Sequence, residues 1–503
     1  MQVSHVLPAA GMASSFVFDE ANLIAHAGLI PALSLAEQAG MFDLVRQHLT
    51  LTGPGCAYPA EKVAVLIAGM LAGADSIDDM DVLRHGGTKK VFTELRAPST
   101  LGTFLRTFTH GHVRQLDAVN SRMLTNLQSS TTQAGESLLP GADELVYVDI
   151  DDTIRQTYGY AKQGAGYGYS KVKGLNAMIL TATTPTSASA ILGARLRKGS
   201  TASARGASKL LADGLATLKR TTASGTASGT ASSTGAARGS EADPAAGLVI
   251  VRADSAYYNH DVVATARRAG ARFSITTRSN PALRRAISAI PDDSWTAIKY
   301  TDAVWDEEDK RWVSDAEVAE TTYTAFTGRR KAEHVTARLI VRRVKRLNPA
   351  ANPAAGQGHV QDELFNVYRY HAVFTDSPLP MLAAEKAHRA HAIVESTIAE
   401  LKDNALAHLP SGKFQANAAW LMLAVIAHNL TRALAALAGA GHRRERMATV
   451  RRKLISLPAR IASSARRLRL HAPQGWRWQA GFEHVLAAVE VLALSARNRR
   501  LRT

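Results

Sequence analysis

Apolar and polar positions divide the chain by their period. Residues 20–135 read as mostly helical: after the start signal Pro98-Ser99-Thr100, apolar Leu101, Phe104, Leu105 and Phe108 fall at i, i+3, i+4 and i+7. The period then drops to two. Leu145–Asp151 (LVYVDID) alternates, with Val146, Val148 and Ile150 on one face and Tyr147, Asp149 and Asp151 on the other. Leu175–Thr181 and Ala190–Leu196 are further strands. Ser203–Lys219 reads as a helix with Ser203 as its N-cap and leucines at 210, 211, 215 and 218. Gly247–Arg252 (GLVIVR) is a short apolar run of the kind buried on both faces of a sheet. A helix over 259–269 and a strand over Ala271–Thr277 follow. Three strands, helix, strand, helix, strand is the order of a mixed α/β sheet.

Three stretches break this pattern. Residues 221–246 (TTASGTASGTASSTGAARGSEADPAA) carry almost no large apolar side chain, and are expected to form a flexible loop because they cannot bury enough surface to offset ordering entropy. From Trp295 to Thr375 the segments are short, alternating and aromatic, which predicts an all-β insertion. Leu382–Asn404 and Gln415–Leu437 return to helix. The second is strongly apolar, yet His428, Asn429 and Arg432 interrupt it, so it reads as a buried helix rather than a membrane span. The expected organisation is a helical region over 1–140, suited to DNA-end binding or to a plain scaffold. An α/β domain over 141–294 and 376–440 follows, with the β insertion at 295–375 and a basic C-terminal region over 441–503.

Composition adds a partner. Apolar residues make up 46% and charged residues 20%, as in ordinary folded proteins, but 60 Lys and Arg face 43 Asp and Glu, for a net charge of +17. An excess of that size points to a polyanion, whose condensed counterions are released on binding. Fifteen Lys and Arg against three Asp and Glu lie in residues 441–503. That concentration reads as a phosphate-tracking surface, with Arg466, Arg467 and Arg469 at its centre, or as a solubilising tail. The single cysteine, Cys56, excludes an intramolecular disulfide and a Cys-based zinc site. The first twenty residues lack the basic-then-apolar order of a signal peptide. The expectation is a cytoplasmic protein.

Three carboxylates stand out. Asp151 ends the first strand in VDIDDT, Asp254 follows the buried strand in VRADSAYYN, and Glu395 lies within the helix KAHRAHAIVESTIAELK. A carboxylate at the end of an apolar strand is costly unless it has a use. Two such strand ends plus a helix glutamate supply hard oxygen ligands for Mg²⁺, or Mn²⁺ in its place, and two such ions serve phosphodiester displacement. Each residue also has an ordinary reading: Asp254 as a helix N-cap, Glu395 as a solvated helix residue, Asp149 as the first ligand instead of Asp151. His388, His391, Glu395 and Lys402 share one helical face.

At these residues the sequence resembles the DDE transposases of bacterial insertion sequences, most closely the group known as IS-thirteen-eighty. The resemblance is sharpest in VDIDDTIRQTYGYAKQGAGYGYSKVKGLNAMI, RLRKGSTAS, VRADSAYYN, VSDAEVAE and HAIVESTIAELKDNALAHLPSGKFQANAAWL. It implies a ribonuclease-H-like catalytic fold with Asp151, Asp254 and Glu395 as the metal-binding triad. It also implies DNA end cleavage and strand transfer by a homodimer on double-stranded terminal repeats. The 141 positions from Asp254 to Glu395 exceed the plain fold, and the β insertion accounts for most of the surplus. The family signature Tyr-(2)-Arg-(3)-Glu-(6)-Lys matches at Glu395 and Lys402, but His388 and His391 occupy the Tyr and Arg positions and are expected to replace them at the DNA end. A nuclease of the same fold and an inactive DNA-binding relative are the competing readings.

Overall fold

The computed structural model describes residues 17–158, 161–226, 247–298, 304–306, 311–313, 316–345, 368–464 and 467–500. The chain begins with β1 (Leu23–Ile24), α1 (Leu29–Gln38), α2 (Met41–His48), α3 (Pro59–Ala72), α4 (Thr88–Val91), α5 (Pro98–Arg106) and α6 (His110–Gln133). The predicted start at Pro98 holds: proline occupies the first turn of α5, where a missing N–H costs nothing. Next come β2 (Leu145–Gln156), β3 (Gly166–Tyr167), β4 (Lys173–Thr183), β5 (Ala190–Lys198), α7 (Ala207–Thr226), β6 (Leu248–Ala253), α8 (His260–Arg268) and β7 (Arg272–Thr276). Then α9 (Pro281–Ser288), β8 (Thr296–Ala297), β9 (Val304–Asp306), β10 (Arg311–Val313), β11 (Ala316–Ala325), β12 (Val335–Lys345) and β13 (Tyr368–Thr375) lead to α10 (Met381–Arg389) and α11 (Ile393–Lys402). The chain closes with α12 (Phe414–Leu437), α13 (Met447–Val450), β14 (Ala459–Ser464), β15 (Arg467–His471) and α14 (Gln479–Arg500).

One mixed sheet organises the molecule. Its path runs β3-β4-β2-β6-β7-β13-β12-β11-β8, with β5 pairing β4. The pairs β2–β6 and β6–β7 are parallel and the other neighbours antiparallel. The stretch β5-β4-β2-β6-β7 is the ribonuclease-H-like arrangement that the sequence order predicts. The β insertion is present but does not stand apart: β13 pairs with β7, so β11, β12 and β13 extend the same sheet. A second pairing, β9 with β10, forms a small hairpin.

Helix α12 is long and apolar enough to cross a membrane by length and composition, and it is buried along its whole apolar length. The polar residues that interrupt it are anchors. Asn429 Oδ1 accepts the Ile191 amide (2.8 Å), while its Nδ2 donates to the Ile191 carbonyl (2.9 Å) and to Asn120 Oδ1 on α6 (3.1 Å). The free backbone of β5 is thereby satisfied by a helix side chain, which covers a sheet edge that would otherwise invite pairing. Arg432 reaches Glu400 at 3.0 Å. The N-terminal helices share this core: residues of α1, α3, α5, α6, the sheet, α12 and α14 form one continuous apolar cluster.

Several boundaries differ from the sequence pattern. Strand β2 runs five residues past Asp151, because β4 pairs with it over Tyr147–Gln156. Ser203 does not cap α7, which starts at Ala207; instead the carbonyls of Ala202, Ser203 and Arg205 accept from Arg197 Nη1. Residues 221–226 continue α7, and the rest of the expected loop lies outside the described residues. The expected helix over 382–404 is two helices joined by a 3₁₀ turn, Ala390–Ala392. The C-terminal region is helical only in part: β14 and β15 pair as a hairpin that adds to β1, with Ile461 buried inside.

Candidate active site

The parallel register of β2 and β6 matches Ile150 with Ala253, so Asp151, still within β2, and Asp254, one residue past the end of β6, follow at adjacent positions. Burial, with the nearby charges of Asp254 and Asp152 adding to it, pushes the Asp151 carboxyl up to about 6. A hydrogen bond from the Asp152 amide (2.7 Å) opposes that shift. Asp254 is raised as well, first by burial. It also caps the short turn after β6, accepting the Ala256 amide at 3.0 Å, which is the ordinary reading of this residue. The remaining oxygen of each carboxylate has no cation bound to it among the described residues. Burial and neighbouring acids, Asp254 and Asp152 for Asp151 and Asp152 for Asp254, leave both carboxyls short of positive charge, and a divalent ion meets that need.

Asp149 and Asp152 are engaged elsewhere. Asp149 is fully buried, and both its oxygens take the Arg252 guanidinium (Nε and Nη2, 2.7 Å each), with His391 Nδ1 at 2.9 Å. Burial pushes its pKa up, but the Arg252 charge and the bonds from His391 and Arg252 outweigh it and hold the carboxyl below the usual range. Arg252 also donates to the Ala387 carbonyl (2.5 Å) and stacks on the Tyr147 ring at 4.0 Å, tying β2 and β6 to α10. Asp152 accepts from Arg197 Nη2 (2.7 Å), the Tyr257 hydroxyl (2.9 Å) and Asn176. These two ion pairs leave Asp151, between them in sequence, as the carboxylate of β2 turned to the site.

Glu395 is exposed on α11, one turn after His391, and α11 packs against β2. Among the described residues no three His, Cys, Asp or Glu side chains stand together at metal-binding distance. Lys402 is half-buried two turns further along the same helix, within electrostatic reach of Asp151 and of Arg155. Tyr169, 70% exposed, reaches over the same centre, and its hydroxyl is raised first by partial burial and then by the charges of Asp152, Asp151 and Asp254. The loop that carries it is tightly built. A Cβ on Gly199 would lie 2.0 Å from the Gly174 carbonyl oxygen and 2.3 Å from that of Gly166, so three backbone segments meet where no side chain fits.

The histidines behave unlike the pattern. His388 is buried at the interface with β7, its Nδ1 at 2.9 Å from the Ser274 hydroxyl and its Nε2 at 2.9 Å from that of Thr276. Both ring nitrogens are occupied, which corrects the expectation that His388 meets a DNA end. His391 lies beside it, rings 6.4 Å apart, and serves Asp149. Of the C-terminal arginines, Arg469 is exposed on β15, Arg467 opens that strand, and Arg466 lies outside the described residues.

Burial holds His388 at about 3, and does the same for His428 beneath α13. An unfolded histidine titrates near 6.5, so between pH 6.5 and 3 the unfolded chain binds the extra protons and stability falls as pH drops. The slope reaches about 2.7 kcal/mol per pH unit for the two together. Urea midpoints taken from pH 7 to pH 5 will show this decline, and His388→Gln will show a shallower one. An equally steep decline in that variant would mean that His388 is not held neutral.

Arg252, Arg197 and Asn176 are the residues that pattern reading misses. A signal existed for the first: an arginine ending the doubly buried run GLVIVR requires an acid partner, and the alternation of LVYVDID offers Asp149.

The family model for the transposase DDE domain, group 1, matches residues 240–494. That is half of the chain, and the protein belongs to this family of DDE transposases. The match takes in Asp254, Glu395 and Lys402, whereas Asp151 enters through the sheet register. Comparison with curated proteins returned no match.

Proposed function

We propose that the protein is the transposase of an insertion sequence. It binds the element's double-stranded terminal repeats, cuts the phosphodiester bonds there, and joins the freed 3′-OH ends to target DNA by a cut-and-paste route. The observation that carries this reading is the β2–β6 register, which brings Asp151 on β2 next to Asp254 at the end of β6, in a chain of the DDE transposase family with a charge of +17. Asp151 and Asp254 would hold Mg²⁺, or Mn²⁺, with Glu395 completing the ligand set from α11. Metal held there would supply the positive charge that activates an attacking oxygen and stabilises a leaving one.

The chain's own side chains supply the rest. The Asp149–Arg252–His391 network holds β2 and β6 in the register that sets the two aspartates side by side. Lys402 offers a positive charge to a phosphate beside them, and Arg466, Arg467 and Arg469 belong to a basic surface for flanking DNA. His391, bound to Asp149 through Nδ1 and within electrostatic reach of Asp151 and Asp254, would meet DNA beside the two aspartates through its other ring nitrogen. The protein works in the cytoplasm as a homodimer, one catalytic domain for each end.

A strand-transfer assay on DNA carrying the element's ends tests the reading: joined products are expected, and cutting without joining would make the protein a nuclease of the same fold. Mg²⁺ and Mn²⁺ will support cleavage and Ca²⁺ will not, since its looser, higher-coordinate geometry does not suit in-line transfer. Cleavage at full rate in EDTA would remove the metal from the mechanism.

A further inference from the structure

Arg155 lies four residues beyond Asp151 on the same face of β2, in the stretch where β2 has outrun β6 and is paired with β4 at Leu175. Among the described residues it has no hydrogen-bond or ion-pair partner, and its Nε is buried with no acceptor. The other arginines near the sheet's centre differ: Arg252 holds Asp149, Arg197 holds Asp152, and Arg195 holds Asp117 and Asp213. Lys402 stands on α11, which packs against β2, and its ammonium has Arg155 and Asp151 as electrostatic neighbours. An arginine and a lysine within electrostatic reach of one another repel in the free protein. A buried N–H without an acceptor adds to the cost. An anion of the right size removes both penalties, and a phosphate oxygen suits the guanidinium fork and the point charge together.

We propose that Arg155 and Lys402 form a two-sided phosphate site, which takes a backbone phosphodiester of the DNA strand entering the Asp151–Asp254 centre. Arg155 is a positioning residue: it touches the strand next to the reacting bond and sets where that bond lies. The proposal rests on the transposase reading and adds a residue to it. Because β2 carries Asp151 and Arg155 on one rigid pleat, the spacing between the metal-binding carboxylate and the phosphate grip is built into a single strand.

The test uses the full chain and a duplex of about 30 base pairs, in Ca²⁺, with affinity followed from 50 to 200 mM salt. Arg155→Gln should weaken binding about tenfold at low salt and make the log–log salt slope shallower by roughly 0.9, the share of one phosphate contact. Arg155→Lys should keep the slope and lose part of the affinity, because the charge stays and the fork is gone. The melting temperature of free Arg155→Gln should equal or exceed that of the unaltered protein, since one of two mutually repelling charges is gone. An unchanged slope in Arg155→Gln overturns the proposal, whatever its melting temperature. So does a slope lost equally in Arg155→Lys, which would mean that shape and not charge was read. Absence of duplex binding by the unaltered protein would instead withdraw the transposase reading itself.

Discussion

Asp151→Asn, Asp254→Asn and Glu395→Gln each abolish DNA cleavage while duplex binding in Ca²⁺ stays within a few-fold of the unaltered protein. Each change keeps the side chain's shape and removes one charge from the proposed ligand set. The loss of cleavage should exceed about a hundredfold, the upper range for disturbing even an outer partner of a metal ligand. Folding should not suffer. Asp254 adds to the burial that raises Asp151, and Asp152 adds to the burial that raises Asp254, so neutralising either aspartate relieves strain among these acids, and the melting temperature should hold or rise. Single-turnover cleavage and thermal melts on the same preparations check both halves. A Glu395→Gln protein that still cuts would take Glu395 out of the ligand set and leave Lys402 as the functional residue of α11.

Asp149→Asn produces the opposite pattern. It leaves the Arg252 guanidinium buried against a neutral amide, 1% exposed, with its charge uncompensated. Breaking a buried ion pair from one side costs about 3–5 kcal/mol. The whole stability of a typical domain is about 5–15 kcal/mol, so this variant should unfold at far lower denaturant. Replacing the pair together, Asp149→Leu with Arg252→Met, should recover much of that loss, because two apolar side chains of similar volume leave no buried charge. Urea midpoints for the single and double variants are the measurement. If Asp149→Asn kept its midpoint and lost all cleavage, Asp149 rather than Asp151 would be the ligand of β2.

The contrast between these neighbours shows what a linear pattern conveys. Strand alternation places Asp149 and Asp151 on one face, and nothing along the chain says which carboxylate is spoken for. The arginine that decides it comes 103 positions after Asp149 and reaches it only through the parallel pairing of β2 with β6. His388 teaches the same lesson from a helix. Its spacing with His391, Glu395 and Lys402 is a true helical face, but α10 and α11 are separated by a 3₁₀ turn, and the first part of that face is buried on β7. Spacing tells which residues share a side of a helix, not which side is covered.

The sequence by itself determined the order of strands and helices, the mixed α/β class, the β insertion, the buried character of Phe414–Leu437 and the three carboxylates worth testing. These follow from local causes: the period of apolar positions, proline and glycine at turns, and the cost of an acid at the end of an apolar strand. Tertiary structure alone decided that the insertion extends the main sheet and that the N-terminal helices share the core of α12. It alone decided that Arg252 and Arg197 claim Asp149 and Asp152, and that Arg155, without an ion-pair partner among the described residues, comes within electrostatic reach of Lys402. Each of these depends on pairing between residues far apart in the chain, where the gain comes from burying two complementary groups together. Local pattern holds no record of that gain until the sheet has closed.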